Sequence, residues 1–495
     1  MNLIFTLIIY LPLILFCIIS IIPSHKVNLI KKIALVGTIL LFLISIYILI
    51  TYSISLNIKD HSWFEFKYYS TITYLFNLQY TIGLDGISIL LINLTTLLIP
   101  LCILVNITTI RYRFKDYVLM LLLLEVLLLN TFSVLNLLFF YIFFESVLIP
   151  MFIIIGIWGS RQRKIHAAYQ FFLYTFFGSI FMLIAILVIY KTVGSLNYEA
   201  ILAYEFDPNV EKFLWLAIFF SFAIKVPMIP VHIWLPEAHV EAPTAGSVLL
   251  AGVLLKLGTY GMLRFLIPLL PYGTIYFLPL VYTLCIIAIV YGSLTTLRQI
   301  DLKKIIAYSS VVHMNFALIG LFALNIEGLQ GSIYLMLSHG VVSGALFLCV
   351  GCLYDRYHTR VVKYYSGLVM TMPIFSLFFL IFTLANIAFP GTSSFVGEFL
   401  IFLGIFKENI FIGILSALGV ILSASYSIWL YNRVVFRNIN LVYLFHFKDL
   451  IKLERIMFYP LLFLVFLMGI YPKLFLDITY ASVLRILSIY NLFIE

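Results

Sequence analysis

The sequence predicts an all-α polytopic membrane protein of about fourteen transmembrane helices, two of them broken, arranged as two inverted five-helix repeats. Three observations predict this. Of 495 residues, 64% are hydrophobic and only 10% charged, and the mean hydropathy is +1.14, which excludes a soluble domain. Apolar runs of about 18 or more residues recur from end to end, and no segment between them is long enough to fold separately, so 1–495 is one transmembrane domain. Finally, Ser221 to Pro243, SFAIKVPMIPVHIWLPEAHVEAP, is an apolar run that carries Lys225 and then meets Pro227 and Pro230. Each proline removes a backbone N–H and frees a carbonyl of the preceding turn, which is a helix interrupted inside the membrane.

Taken in order, the spans centre near residues 12, 41, 97, 124, 146, 180, 220, 255, 285, 313, 340, 388, 423 and 466. Met1 to Pro23 has no charged leader, no small-residue cleavage site and no Arg-rich presequence, so it reads as a retained first helix. Three N-terminal helices fill 1–114. The connection Ser55 to Gly83, rich in Tyr, Phe and Thr, reads as an extended surface segment at the lipid interface. The last helix and tail occupy 456–495, with a short amphipathic helix expected from Asp477 onward. Cys17, Cys102, Cys285, Cys349 and Cys352 all sit in apolar runs, and the lone C-x-x-C lacks the second pair that a zinc or iron–sulfur site needs, so they read as small packing residues.

Lysine and arginine set orientation. They concentrate in the loops after odd-numbered spans, at Lys26 to Lys32, Arg111 to Lys115, Arg161 to Lys164, Arg298 to Lys304 and Arg356 to Lys363. That face should be cytoplasmic or matrix, with both termini on the opposite side. The net charge of +9 is thus a topology signal, and no nucleic-acid partner is implied. The 46 Phe and 33 Tyr, with abundant Ile, Asn and Lys, fit an AT-rich, organelle-encoded gene, though an AT-rich bacterium would show the same bias.

The ionisable residues inside spans expose the repeat. Blocks 115–268 (helices 4–8) and 274–437 (helices 9–13) each hold five spans, with an intramembrane ionisable group in the second, Glu145 or His313. The fourth is broken in each, at Lys225–Pro227 and at AFPGTSS, Ala388 to Ser394, just before Glu398. Five is odd, so the second block starts on the opposite face.

Buried ionisable groups are costly and by default mark an ion pathway. Glu145 stands among phenylalanines before Pro150, and Lys225 is its natural partner; a static pair that fixes helix register is the structural alternative. Lys256 lies mid-span in LLAGVLLKLGTYG, too deep to snorkel. His313 and His339 suit proton transfer in either direction, although a membrane histidine is often only hydrogen-bonded to a neighbouring helix. Glu398 is either a relay or a cap for the half-helix after the break. Glu125 is a further buried acid expected to face the same interior, whereas His232, Glu237, His239 and Glu241 are expected to line a solvated mouth.

Four stretches carry a specific resemblance: GLDGIS at Gly83 to Ser88, FFESVLIPMFIIIGIWG at Phe143 to Gly159, KVPMIPVHIWLPEAHVEAPTAGSVLLAGVLLKLGTYG at Lys225 to Gly261, and FVGEFLIF at Phe395 to Phe402. Over nearly its whole length the chain resembles the antiporter-like, proton-pumping membrane subunits of respiratory NADH:ubiquinone oxidoreductase. Glu398, where the sister subunits 2 and 5 carry lysine, points to the subunit-4 branch. The resemblance implies a relay through Glu145, Lys225, Lys256, His313, His339 and Glu398. It also implies a mitochondrial inner-membrane location with termini toward the intermembrane space, and neighbours that include subunits 2 and 5, lipids and internal water. It implies no cofactor in this chain, with NADH, FMN, iron–sulfur clusters and ubiquinone in partner subunits. A free-standing cation/proton antiporter and a purely structural scaffold remain the other function classes open to such a sequence.

Overall fold

The computed structural model describes residues 2–55, 66–73, 78–436, 438 and 448–492. Eleven helices among them are long and apolar enough to cross a membrane, and Leu7–Ile21 and Pro373–Asn386 are shorter apolar helices. Burial sorts them into layers. Thr244–Leu269, Leu302–Phe322 and Ile326–Tyr357 are all but enclosed by protein, whereas Val27–Ile54, Lys164–Val193 and Lys452–Ile470 keep most of their apolar surface outward, as helices facing hydrocarbon do. The three enclosed helices are the ones that carry Lys256, His313 and His339.

Caps fix where the inner helices begin. Asp85 starts Gly86–Thr109 with a reciprocal capping box to Ser88, Asp301 accepts from the Lys303 N–H, and Asn325 accepts from the Gly328 N–H. Pro208–Lys225 ends at the predicted break. The chain turns through 226–233 and resumes as Trp234–Glu241. The second break separates Pro373–Asn386 from Ser393–Glu408, and the connection passes through Ala388 and Gly391 at positive φ, a conformation glycine adopts without a Cβ penalty.

Three features depart from the sequence reading. The connection before residue 85 holds a β-hairpin, Phe66–Thr73 paired antiparallel with Leu78–Leu84, so one two-stranded sheet accompanies the helices. Its second strand is not at the lipid interface: Thr81, Ile82 and Leu84 are buried, and the Leu135 N–H donates to the Thr81 carbonyl at 2.9 Å. Residues 56–65 and 74–77 of that connection lie outside the described residues. Next, the fifth span is two helices, Leu137–Ser146 and Leu148–Trp158, because Pro150 cannot donate to the Ser146 carbonyl and crowds it. The expected tail helix runs from Lys473 to Leu492 and packs inward, where Ser482 Oγ accepts from the Gly86 N–H at 3.2 Å. All five cysteines are free, four of them buried.

Candidate functional site

Four of the expected side chains form one row. Lys256 lies on Leu255–Gly261, an α-helical stretch that follows a π turn, Leu250–Leu254. The π turn shifts the hydrogen-bond ladder, and the Lys256 ammonium donates to the Ala251 carbonyl at 2.6 Å. It also meets His339 Nδ1 at 2.7 Å. An ammonium only donates, so Nδ1 accepts and the neutral ring of His339 carries its proton on Nε2. The His339 and His313 rings follow, 5.9 Å between centroids, each with an Nε2 that has no partner among the described residues. His313 Nδ1 lies 3.3 Å from Glu398 Oε1, and all four residues are buried.

The first half of the predicted relay is brought close but not closed. Lys225 donates to the Phe144 carbonyl at 2.6 Å and lies over the Phe144 ring, 3.3 Å from its centroid, so a cation–π contact and one carbonyl hold its charge. Neighbouring Glu145 has no hydrogen-bond partner for either oxygen among the described residues. The expected ion pair is therefore open, with the cation one residue short of the carboxylate. The broken helix also abuts the Lys256 helix. A Cβ on Gly258 would meet Val226 Cγ2 at 2.5 Å and Lys225 Cβ at 3.3 Å, so only glycine permits this approach. Asn315, two residues beyond His313, reaches toward the break, its Nδ2 lying 3.4 Å from the Pro227 carbonyl.

Glu125 stands apart from this row. It is wholly buried in Phe114–Ser133, and neither carboxylate oxygen has a partner among the described residues. A buried carboxyl without a hydrogen-bond partner is a cost to the fold. Glu125→Met, which keeps the volume, is expected to leave proton pumping within about twofold of the parent and not to lower thermal stability. A lost proton-to-electron ratio in that variant would put Glu125 in the relay after all.

The solvated mouth expected after the break is corrected. Trp234–Glu241 is the second half of the broken helix, and it re-enters the packed interior, burying Trp234, Leu235 and Ala238. His232, His239 and Glu241 are buried with it; only Glu237, paired with Lys304 at 2.7 Å, keeps partial exposure. The His239 ring stacks on Phe347, 4.7 Å between centroids, with neither nitrogen partnered among the described residues.

Sequence reading missed two groups. Lys303 is buried and donates to the Ala242 carbonyl at 2.8 Å, and Arg360 lies 3.9 Å from both Glu241 and Asp301. Both stood in segments read as loops. Arg264 pairs with Asp85 at 2.5 Å, each nearly inaccessible. A signal is present in the sequence, since Asp85 belongs to GLDGIS and Arg264 follows the stretch that ends at Gly261, but nothing in the sequence joins residues so far apart.

A multi-pass helical bundle with a buried, contiguous row of titratable side chains and two interrupted helices is the layout of a membrane ion-translocating unit. The comparisons agree. Residues 134–424 match the membrane family described as NADH:quinone oxidoreductase/Mrp antiporter, and the chain belongs to that family. It is 56% identical over 477 residues to NADH-ubiquinone oxidoreductase chain 4 of Marchantia polymorpha, covering 96% of this chain and 95% of that one. It is 57% identical over 464 residues to the chain of the same name from Arabidopsis thaliana, covering 93% and 92%. Among solved structures it superposes on a chain of respiratory complex I from Thermus thermophilus with bound NADH, with a TM-score of 0.87, 30% identity and coverage of 98% and 99%. A chain of an archaeal membrane-bound sulfane sulfur reductase gives the same TM-score at 21% identity, which shows the shared fold.

Proposed function

We propose that this chain is a proton-translocating membrane subunit of NADH:ubiquinone oxidoreductase, coupling quinone reduction in partner subunits to proton movement through its own buried side chains. The observation that carries this is the buried row Lys256, His339, His313, Glu398, in which every member can donate or accept a proton and the histidine rings lie 5.9 Å apart. A proton on Lys256 passes to His339 Nδ1 while Nε2 releases one toward His313. Both Nε2 atoms are left without a partner among the described residues, so the step between the two rings needs a bridging group such as water. His313 then delivers to Glu398 beside the second helix break.

Lys225 and Glu145 act as the gate. With the pair open, as here, the ammonium is held only by a carbonyl and a ring face; with it closed, the carboxylate stabilises the charge and keeps the proton on Lys225. Opening therefore drives the proton toward Lys256. Moving one charge through the membrane field is worth ~2.3 kcal/mol per 100 mV, and the pair must change its interaction by a similar amount. Glu145→Gln is expected to lower both pumping and coupled quinone reduction by about tenfold while the complex still assembles. Full pumping by an assembled Glu145→Gln complex would rule the gate out.

On this reading blocks 115–268 and 274–437 are inverted copies, 1–114 and 456–495 flank them, and the arginine- and lysine-rich face is the matrix side of the mitochondrial inner membrane, leaving the termini toward the intermembrane space. The neighbours are other membrane-arm subunits, subunits 2 and 5 among them, and NADH, FMN, iron–sulfur clusters and ubiquinone are held by partner subunits. Native-gel migration tests the assignment: the chain should co-migrate with a very large NADH-oxidising assembly. Migration as a free chain that drives sodium- or potassium-dependent pH changes in liposomes would replace it with the free antiporter.

A further inference from the structure

The aim of Lys256 depends on features outside the row. Its α-helical stretch, Leu255–Gly261, has a π turn on each side, Leu250–Leu254 and Met262–Leu266. A π turn holds one residue more than an α turn, and each residue turns a helix by about 100°. Reverting either π turn would swing Lys256 by roughly that angle against one end of its helix, off the line to His339. Each turn must therefore be held from outside.

The first is held at the site itself. Lys256 occupies the Ala251 carbonyl, and Gly252 packs so closely that an added Cβ would meet Leu98 Cδ1 at 2.4 Å. The second carries Arg264, whose guanidinium pairs with Asp85 at 2.5 Å. Its Nε–H also donates to the Tyr260 hydroxyl at 3.3 Å, and that hydroxyl donates to the Phe132 carbonyl at 2.9 Å. Asp85 is itself immobilised, because it caps Gly86–Thr109 through Ser88, and the adjoining Gly86 is pressed against the Ile478 carbonyl of the last helix. A buried ion pair is a poor stabiliser against an apolar pair of the same size, and its best-attested use is to fix register.

We infer that the Asp85–Arg264 ion pair is a positioning device for the relay: it locks the second π turn and thereby aims Lys256 at His339. The inference rests on Lys256 being a relay group. The charged and titratable groups around Lys256 include His339 and, within electrostatic reach, His239; those around Arg264 include Asp85, Tyr260 and Tyr198.

The test uses the assembled complex. The Asp85→Asn/Arg264→Gln double variant removes both charges without leaving one buried and unpaired, and Tyr260→Phe removes one hydroxyl from the same lock. At equal assembly the double variant is expected to lose about fivefold or more in coupled turnover. Its pH–rate profile should move by about one unit, in the same direction as that of His339→Gln, because Lys256 loses the same partner in both. Tyr260→Phe should move it less, in that direction. A purely structural pair would lower the yield of complex and leave the profile in place, so an assembled double variant with the parent profile overturns the inference. Where the double variant does not assemble, an unmoved profile in Tyr260→Phe overturns it instead. A Lys256→Met complex that pumps normally would refute the relay reading first and remove the basis for this one.

Discussion

Lys256→Met is expected to abolish proton pumping, with coupled turnover falling by at least about tenfold, while the amount of assembled complex stays at the parent level. The two halves of this expectation come from different parts of the site. Lys256 contacts His339 and stands on the helix that packs against the Lys225 break, so removing its ammonium cuts the row between the two halves. Methionine has a similar length and no charge to bury, so the desolvation cost of a wholly enclosed ammonium disappears with the function. The hydrogen bond to the Ala251 carbonyl is lost too. The measurement is the proton-to-electron ratio in sealed vesicles, normalised to complex seen on a native gel. An assembled Lys256→Met complex with an unchanged ratio would leave His339, His313 and Glu398 with no source of protons, and the relay would have to be abandoned.

The members of this row were legible one at a time. A lysine or glutamate in an apolar run is visible because nothing else explains its cost, which is why Glu145, Lys225, Lys256 and Glu398 stood out. Both breaks were legible for the same kind of local reason, a proline or glycine that cannot continue a helix. What could not be read is anything set by packing between distant segments. The π turns around Lys256 have no sequence signature of their own; they persist because Gly252 sits against Leu98, and Arg264 against Asp85. The burial of His239 and Glu241 was misjudged because a polar, proline-flanked stretch looks like a loop whether or not it folds back into a bundle. Glu125 is legible in the same way by its cost, and it is wholly buried, but cost alone does not say which groups a side chain meets.

Glu398 is expected to tolerate a change of charge better than the loss of a titratable group. Glu398→Lys should keep appreciable pumping, Glu398→Ala should lose most of it, and Glu398→Gln should resemble Ala. The geometry favours a relay over a helix cap. Glu398 is the sixth residue of Ser393–Glu408, past the first turn whose free N–H groups a capping side chain reaches, and its carboxylate faces His313 Nδ1 at 3.3 Å. A lysine there can also exchange a proton with His313 Nδ1, which then accepts instead of donating. Alanine and glutamine offer no proton at any accessible pH. Were the carboxylate only a cap, glutamine would replace it with little loss and lysine would be the damaging substitution. Proton-to-electron ratios of the Lys, Gln and Ala variants at equal assembly therefore order themselves oppositely under the two mechanisms, and a Glu398→Gln complex that pumps like the parent would remove Glu398 from the outward path.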